Sequence, residues 1–137
     1  MGRILSIDYG KKRTGIAVTD PLQIIANGLA TVSTSDLFDY LKAYVGREPV
    51  DCIVMGEPRQ TNGEPSENFA RVQQFANRWK KAMPAIPVVF FDERYTSVLA
   101  HQAMIDCGLK KKSRRNKALV DEISATIILK DYLETKR

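Results

Sequence analysis

Four acidic residues stand out because their surroundings in the sequence are apolar. Asp8 ends an apolar run at the start of the chain, and Asp92 and Glu93 follow the apolar run 87–91. Asp121 lies in a helical pattern with small and apolar residues on its own face. An unpaired carboxylate is costly to remove from water, so each of these side chains needs a cation, a metal ion or backbone N–H groups as a partner.

Three carboxylates without a histidine form a ligand set for Mg²⁺ or Mn²⁺, which prefer oxygen donors. Two such ions, about 3.5–4 Å apart, support phosphodiester hydrolysis by activating water and stabilising the leaving oxygen. The residues alone leave a simpler interpretation open. In it, Asp8 bonds turn amides and Asp121 pairs with Lys117 one helical turn earlier. The acids at 92–93 then pair with Arg94.

The basic residues are concentrated rather than spread. The net charge is +5, and the segment 110–117 holds six cations and no acid, so the remaining chain is close to neutral. We predict that this segment binds phosphates with salt-sensitive and sequence-tolerant affinity. Its cations are Lys110, Lys111, Lys112, Arg114, Arg115 and Lys117. Further candidates for phosphate binding lie beside the acids and in the Gly/Pro-rich loop 56–65: Lys11, Lys12, Arg13, Arg59 and Arg94.

Length and composition restrict the class of protein. The 137 residues suit one domain, and 44% hydrophobic content is enough for a packed core. No apolar run is long enough to cross a membrane. Asp8 interrupts the first apolar run, whereas a secretory signal has a continuous apolar region. Cys52 and Cys107 lack metal-ligand spacing, which favours reduced thiols. We therefore expect a soluble cytoplasmic protein with one domain over 1–137.

Hydrophobic periodicity predicts an α/β domain with a mixed sheet. The predicted order is three strands, helix, strand, helix, strand, helix, helix. In such sheets, sites gather at the carboxyl ends of strands, where Asp8 and Glu93 meet if their strands are neighbours. Thr34 or Ser35 is predicted to cap the first helix, and Gly46 to end it. The predicted strands cover 3–7, 16–19, 28–33, 50–55 and 87–91, and the helices cover about 37–45, 69–83, 97–107 and 118–134.

Four motifs are spread in order over nearly the whole chain. They are the opening Ile-Asp-Tyr-Gly-Lys-Lys-Arg-Thr-Gly-Ile-Ala-Val-Thr-Asp at 7–20, Gly-Glu-Pro at 56–58 with Gly63, Asp-Glu-Arg-Tyr-Thr-Ser at 92–97, and Lys117 with Asp-Glu-Ile-Ser-Ala at 121–125. These motifs resemble those of the YqgF/RuvX family of Holliday-junction-resolvase-like proteins. Ser97 and Ser124 replace a threonine and an alanine of the family pattern, and Glu57 stands where an apolar residue is usual.

The resemblance implies a ribonuclease-H-like three-layer fold, with a five-stranded mixed sheet flanked by helices. It implies a metal-dependent nuclease in which Asp8, Glu93 and Asp121 hold the metal ions, with Asp92 as the rival to Glu93. Two activities are associated with the family: processing the 5′ end of 16S ribosomal RNA precursors, and resolving four-way DNA junctions. The first needs one site, whereas the second needs a symmetric dimer, and the sequence predicts only a monomer or a weak homodimer.

Two other classes stay open. An Asp-x-Gly turn between strands also occurs in nucleotide-binding proteins of the actin and sugar-kinase type, but these use two such domains. A non-catalytic RNA-binding factor in ribosome assembly would use the basic segment alone.

Overall fold

The computed structural model describes residues 2–57, 69–92 and 117–136, and all the predicted strands and helices within these ranges are present. The helix predicted over 97–107 and the Gly/Pro-rich loop lie outside the described residues. The described elements are β1 (Arg3–Asp8), β2 (Arg13–Thr19), β3 (Ala26–Ser33), a 3-10 turn (Thr34–Asp36), α1 (Leu37–Arg47), β4 (Val50–Glu57), α2 (Phe69–Ala82), β5 (Val88–Asp92) and α3 (Lys117–Lys136).

The five strands form one mixed sheet in the order β3-β2-β1-β4-β5. β1 pairs antiparallel with β2 and parallel with β4, while β2 and β3 are antiparallel and β4 and β5 are parallel. The carboxyl ends of β1, β4 and β5 therefore lie along the same side of the sheet, which we call the carboxyl edge. In the ladder, Ile7 lies opposite Met55, and Glu57 lies opposite Asp92.

Strand alternation divides β1 between the two faces of the sheet. Leu5 and Ile7 pack with α1 and α2 in one buried cluster, which also contains Trp79. Ile4 belongs to a second cluster with α3, and the neighbouring even position, Ser6, bonds to the same helix. The helices thus form layers on both faces, as predicted, and the even positions of β1 face α3.

The direction of α3 follows from its contacts with β3. Gly28 lies so close to Glu122 that a Cβ at position 28 would stand 2.5 Å from its carboxylate oxygen. Ile24 and Ile25, just before β3, line a cavity together with the later α3 residue Leu133. Because β3 and β1 run in the same direction, α3 runs antiparallel to both. The first turns of α3 therefore lie towards the carboxyl edge.

The prediction that Thr34 or Ser35 caps the first helix is wrong. A 3-10 turn precedes α1, and neither it nor α1 has a side-chain cap hydrogen bond. The Thr34 hydroxyl instead donates to the carbonyl of Gly10 at 2.7 Å and lies 2.9 Å from the Thr14 hydroxyl. Thr34 thereby links the start of α1 to the β1–β2 turn, a long-range contact that a local capping rule does not consider.

Two further predictions need correction. α1 does not stop at Gly46 but continues to Arg47, and the Glu48 amide donates the final backbone bond to the carbonyl of Tyr44. β5 is only half-buried from Val88 to Phe91, although a fully apolar run such as 87–91 is typical of a strand that is buried on both faces. The reason is its position at the edge of the described sheet.

No helix in the described ranges is long and apolar enough to span a membrane.

Candidate active site

Asp8 is the last residue of β1 and is half-buried at the carboxyl edge. The alternation that directs Ser6 towards α3 assigns Asp8 to the same face. Ser6 itself is fully buried, and its hydroxyl donates to the carbonyl of Ala125 at 2.6 Å. This bond fixes α3 against β1 two residues before Asp8 and one helical turn after position 121.

The turn after Asp8 is held by close backbone packing. A Cβ at Gly10 would collide with the carbonyl of Arg13, so this position requires glycine because of the approach of the backbone and not because of a left-handed φ. The buried Thr14 hydroxyl lies 3.5 Å from the Gly10 amide. Lys11, Lys12 and Arg13 are exposed at this turn. A rigid turn thus holds three cations next to Asp8.

The structure describes the other predicted acids only in part. Asp92 ends β5 at the carboxyl edge, and Asp121 occupies α3 one turn before Ala125, but their side chains are outside the description, as is all of Glu93. Within the described ranges, no three His, Cys, Asp or Glu side chains are grouped to hold a metal ion. The described part of the site therefore contains one complete member of the predicted ligand set, Asp8.

Most of the predicted phosphate-binding cations also lie outside the description. Arg59, Arg94 and the segment 110–116 are not described. Lys117 begins α3, but its side chain is not described. The structure accordingly places only the three cations of the β1–β2 turn near Asp8.

The structure reveals a basic surface that the sequence analysis missed. α2 carries four cations, Arg71, Arg78, Lys80 and Lys81, and no acid between 69 and 82. The apolar periodicity of 69–83 predicts only a packed helix, and the excess charge is assigned to 110–117. The signal that identifies the surface is the absence of any acid over fourteen residues.

A cavity of about 530 Å³ opens between α2 and the β1–β2 turn. It lies on the face of α1 and α2, because Tyr9 packs against Phe75 with ring centroids 5.7 Å apart. Tyr9 follows Asp8 directly, so the cavity borders the carboxyl edge on the side opposite α3. Its charged and aromatic lining consists of Tyr9, Lys11, Arg71, Phe75 and Arg78, with Gln74 between them.

Two described carboxyl groups that lie away from this edge have shifted pKa values. The hydrogen bond from the Ile25 amide is the main cause that lowers the pKa of Asp20, which organises the β2–β3 loop at the opposite edge. Burial raises the pKa of Asp131, about three turns after Asp121 in α3. Both groups belong to structural parts of the molecule.

Comparisons with known proteins agree with the predicted family. The family model described as "RuvX: Holliday junction resolvase" matches residues 2–135. Proteins from Phocaeicola vulgatus and Bacteroides thetaiotaomicron, both named "Putative pre-16S rRNA nuclease", are 64% and 59% identical over 137 residues. Each alignment covers 100% of this chain and 99% of the relative.

A solved structure supports the fold. T. thermophilus RuvC in complex with Holliday junction substrate matches with a TM-score of 0.57 and 15% identity, over 99% of this chain and 96% of that chain. At this identity the match concerns the fold alone, and it confirms the predicted ribonuclease-H-like α/β architecture. Together with the family match over almost the whole chain and relatives of well over half identity, it leads to one assignment: the chain belongs to the RuvX family.

Proposed function

We propose that this chain is a metal-dependent nuclease that hydrolyses phosphodiester bonds and processes the 5′ end of the 16S ribosomal RNA precursor. The observation that carries the proposal is the position of Asp8, at the carboxyl end of β1 on the face where α3 packs. α3 runs so that its Asp121-bearing turn approaches the same edge. The names of the relatives from P. vulgatus and B. thetaiotaomicron favour ribosomal RNA as the substrate.

The proposed metal ligands are Asp8, Glu93 and Asp121. Oxygen donors from β1, from α3 and from the segment that follows β5 fit Mg²⁺ or Mn²⁺. The alternation of β5 supports Glu93 over its rival Asp92. Phe91 contacts Tyr132 of α3, with ring centroids 6.4 Å apart, so the odd-numbered positions of β5 share the α3 face with Asp8.

Each part of the chain has a role in this proposal. When bound, the metal ions, proposed as two, supply an activated water and charge stabilisation of the leaving oxygen. The carboxylates hold them, and the bond from Ser6 to Ala125 keeps α3 in register with β1. The exposed turn cations Lys11, Lys12 and Arg13 hold the phosphates next to the scissile bond, and Arg59 and Arg94 are further candidates. The basic segment Lys110–Lys117 contacts phosphates farther along the strand.

Resolution of four-way DNA junctions is the second candidate function. The description of the matching family model favours it. The two functions differ in geometry, because a junction is resolved by a symmetric dimer that cuts two strands, whereas RNA processing needs one site. We propose that the chain acts as a single domain over 1–137, as a monomer or weak dimer, in the cytoplasm where bacterial ribosomes mature.

The test is cleavage of a 16S precursor RNA and of a four-way DNA junction, side by side, by the wild type and by Asp8→Asn. RNA cut at one 5′ position by the wild type and spared by the variant supports the proposal. Cleavage of the junction alone, with the same dependence on Asp8, replaces it with the resolvase. RNA binding without any cleavage favours the third candidate, an assembly factor that uses only its basic surface.

Metal binding gives an independent readout of the ligand set. Titration calorimetry with Mn²⁺ should show a large loss of affinity in Asp8→Asn, Glu93→Gln and Asp121→Asn. Asp92→Asn is the matched control, because it removes one carboxylate from the same segment. Equal losses in Asp92→Asn and Glu93→Gln would contradict the choice of Glu93.

A further inference from the structure

Apart from Lys11, the residues that line the basic cavity on the α2 side of the sheet have no role in the chemistry proposed at Asp8. The cavity is nevertheless adjacent to Asp8, because Tyr9 and Lys11 line the cavity and follow Asp8 in the chain. We propose that this cavity is a binding groove for the single-stranded segment of RNA that flanks the cleavage site, and that this segment reaches the cavity from Asp8 over the β1–β2 turn. The inference rests on the proposed nuclease function and adds the path of its substrate.

The charge of the groove is complementary to a phosphate backbone. Lys11, Arg71 and Arg78 line it, and no acidic residue is among its described lining side chains. Within the described part of the chain, no carboxylate forms a salt bridge with any of these three cations. Their charge is therefore available to an anionic ligand, and the sequence 69–82 has no acid that would repel one.

The groove is extended, as a strand requires. A second cavity of about 350 Å³ shares Gln74 and Arg78 with it and continues to Lys81. Arg71 and Lys81 are ten positions apart, or about 15 Å along the helix axis. At the roughly 3.4 Å axial spacing of a stacked strand, this length corresponds to about four phosphates.

Aromatic rings hold the groove in shape and distinguish it from a simple charged surface. The Arg78 guanidinium lies 3.9 Å from the centroid of the Phe38 ring, which fixes the position of this cation. Phe38 packs edge-on against Phe75, and Phe75 packs against Tyr9. Phe75 belongs to the buried core, so half-buried Tyr9 is the lining ring on which a base can stack while the cations neutralise the backbone.

The test is equilibrium binding of a short labelled oligouridylate, measured by fluorescence anisotropy with EDTA so that metal-dependent cleavage does not interfere. The variants are the single substitution Arg71→Gln, at an exposed residue, and the double substitution Arg71→Gln/Arg78→Gln. We expect a loss of affinity of about fivefold per cation at low salt. We also expect a salt slope that is smaller by about 0.7 for each cation removed. Arg71→Gln alone decides the question if the double variant is unstable.

The matched control is Lys80→Gln/Lys130→Gln, which removes the same charge from exposed positions outside the groove. Lys80 lies on the same helix, over the Phe90 ring, and Lys130 lies on α3. Equal affinity and salt slope in the groove variants and this control would overturn the proposal. If the groove variants lost affinity for duplex DNA but bound oligouridylate as tightly as the wild type, the proposal would also be overturned.

The readout separates this inference from the proposed function. A wild type that cleaves precursor RNA, with groove variants that bind oligouridylate normally, refutes only the groove. If the wild type cleaves no substrate but the groove variants bind oligouridylate more weakly than the wild type, the groove proposal stands and the nuclease proposal is refuted. If both proposals hold, the groove variants raise KM for precursor RNA and leave kcat within about twofold of the wild type.

Discussion

A hydrogen bond from the Ser6 hydroxyl to the Ala125 carbonyl joins β1, which carries Asp8, to α3, which carries Asp121. The hydroxyl is fully buried and the bond is 2.6 Å long, so Ser6→Ala removes it and admits no water in its place. A net contribution of about 1 kcal/mol is typical of such a bond. For a chain of 137 residues this corresponds to a fall in Tm of about 3 °C. We expect the loss in cleavage to be larger, about tenfold in kcat, because apolar packing alone then sets the position of α3 relative to β1.

Urea unfolding followed by circular dichroism measures the stability, and single-turnover cleavage measures the chemical step. Thr126→Ala is the matched control, since its hydroxyl bonds to the carbonyl of Glu122 at 2.9 Å within α3 and makes no link to β1. The control should retain its cleavage rate. If Ser6→Ala is destabilised but cleaves as fast as the control, the bond has only a structural role. Unchanged stability would refute the magnitude assigned to it.

Three other predictions concern the turn, a half-buried acid and the basic segment. Gly10→Ala should lower the free energy of unfolding, measured with urea, by about 2 kcal/mol, because the added Cβ meets a backbone carbonyl. Gly46→Ala is the matched control on α1, where the added Cβ meets nothing, and it should raise the free energy of unfolding. Asp131→Asn should stabilise the protein at neutral pH, because burial raises the pKa of this carboxyl and so penalises its charged form. In thermal unfolding against pH, the advantage of Asp131→Asn should disappear as the pH falls through the raised native pKa to the usual value of 3.8, and an advantage that persists at lower pH would contradict this cause. Alanine at all three positions of 110–112 should reduce the salt slope of RNA binding by about 2, and an unchanged slope would show that the segment does not touch phosphates.

The sequence predicts the sheet well because its signals are local. Apolar runs bounded by glycine, proline and polar residues define the strands, and the short β1–β2 connection makes their pairing antiparallel. The helical connections before β4 and β5 are long enough for parallel crossovers, and the ends of β1 and β5 lie at one edge with β4 between them. The position of Asp8 at that edge follows from the same local signals.

The contacts between distant residues are what the sequence analysis could not supply. Ser6 is a small polar residue in an apolar strand, and its partner lies 119 positions away. Thr34 has the composition of a helix cap, but tertiary packing uses its hydroxyl at the β1–β2 turn. The groove beside α2 depends on the contact between Tyr9, just after β1, and Phe75 of α2. No pattern within one segment predicts that pair.

The central claim is that the carboxylate at the end of β1 cleaves precursor RNA through a bound divalent metal ion. Its most direct test is single-turnover cleavage of 16S precursor RNA over a titration of Mg²⁺ and Mn²⁺, by the wild type and by folded Asp8→Asn. We predict metal-dependent cleavage by the wild type and a rate lower by a factor on the order of 10³ in Asp8→Asn, the scale of several kcal/mol of lost transition-state stabilisation. Cleavage by the wild type that persists in EDTA, or a folded Asp8→Asn that cleaves at the wild-type rate, would contradict the account.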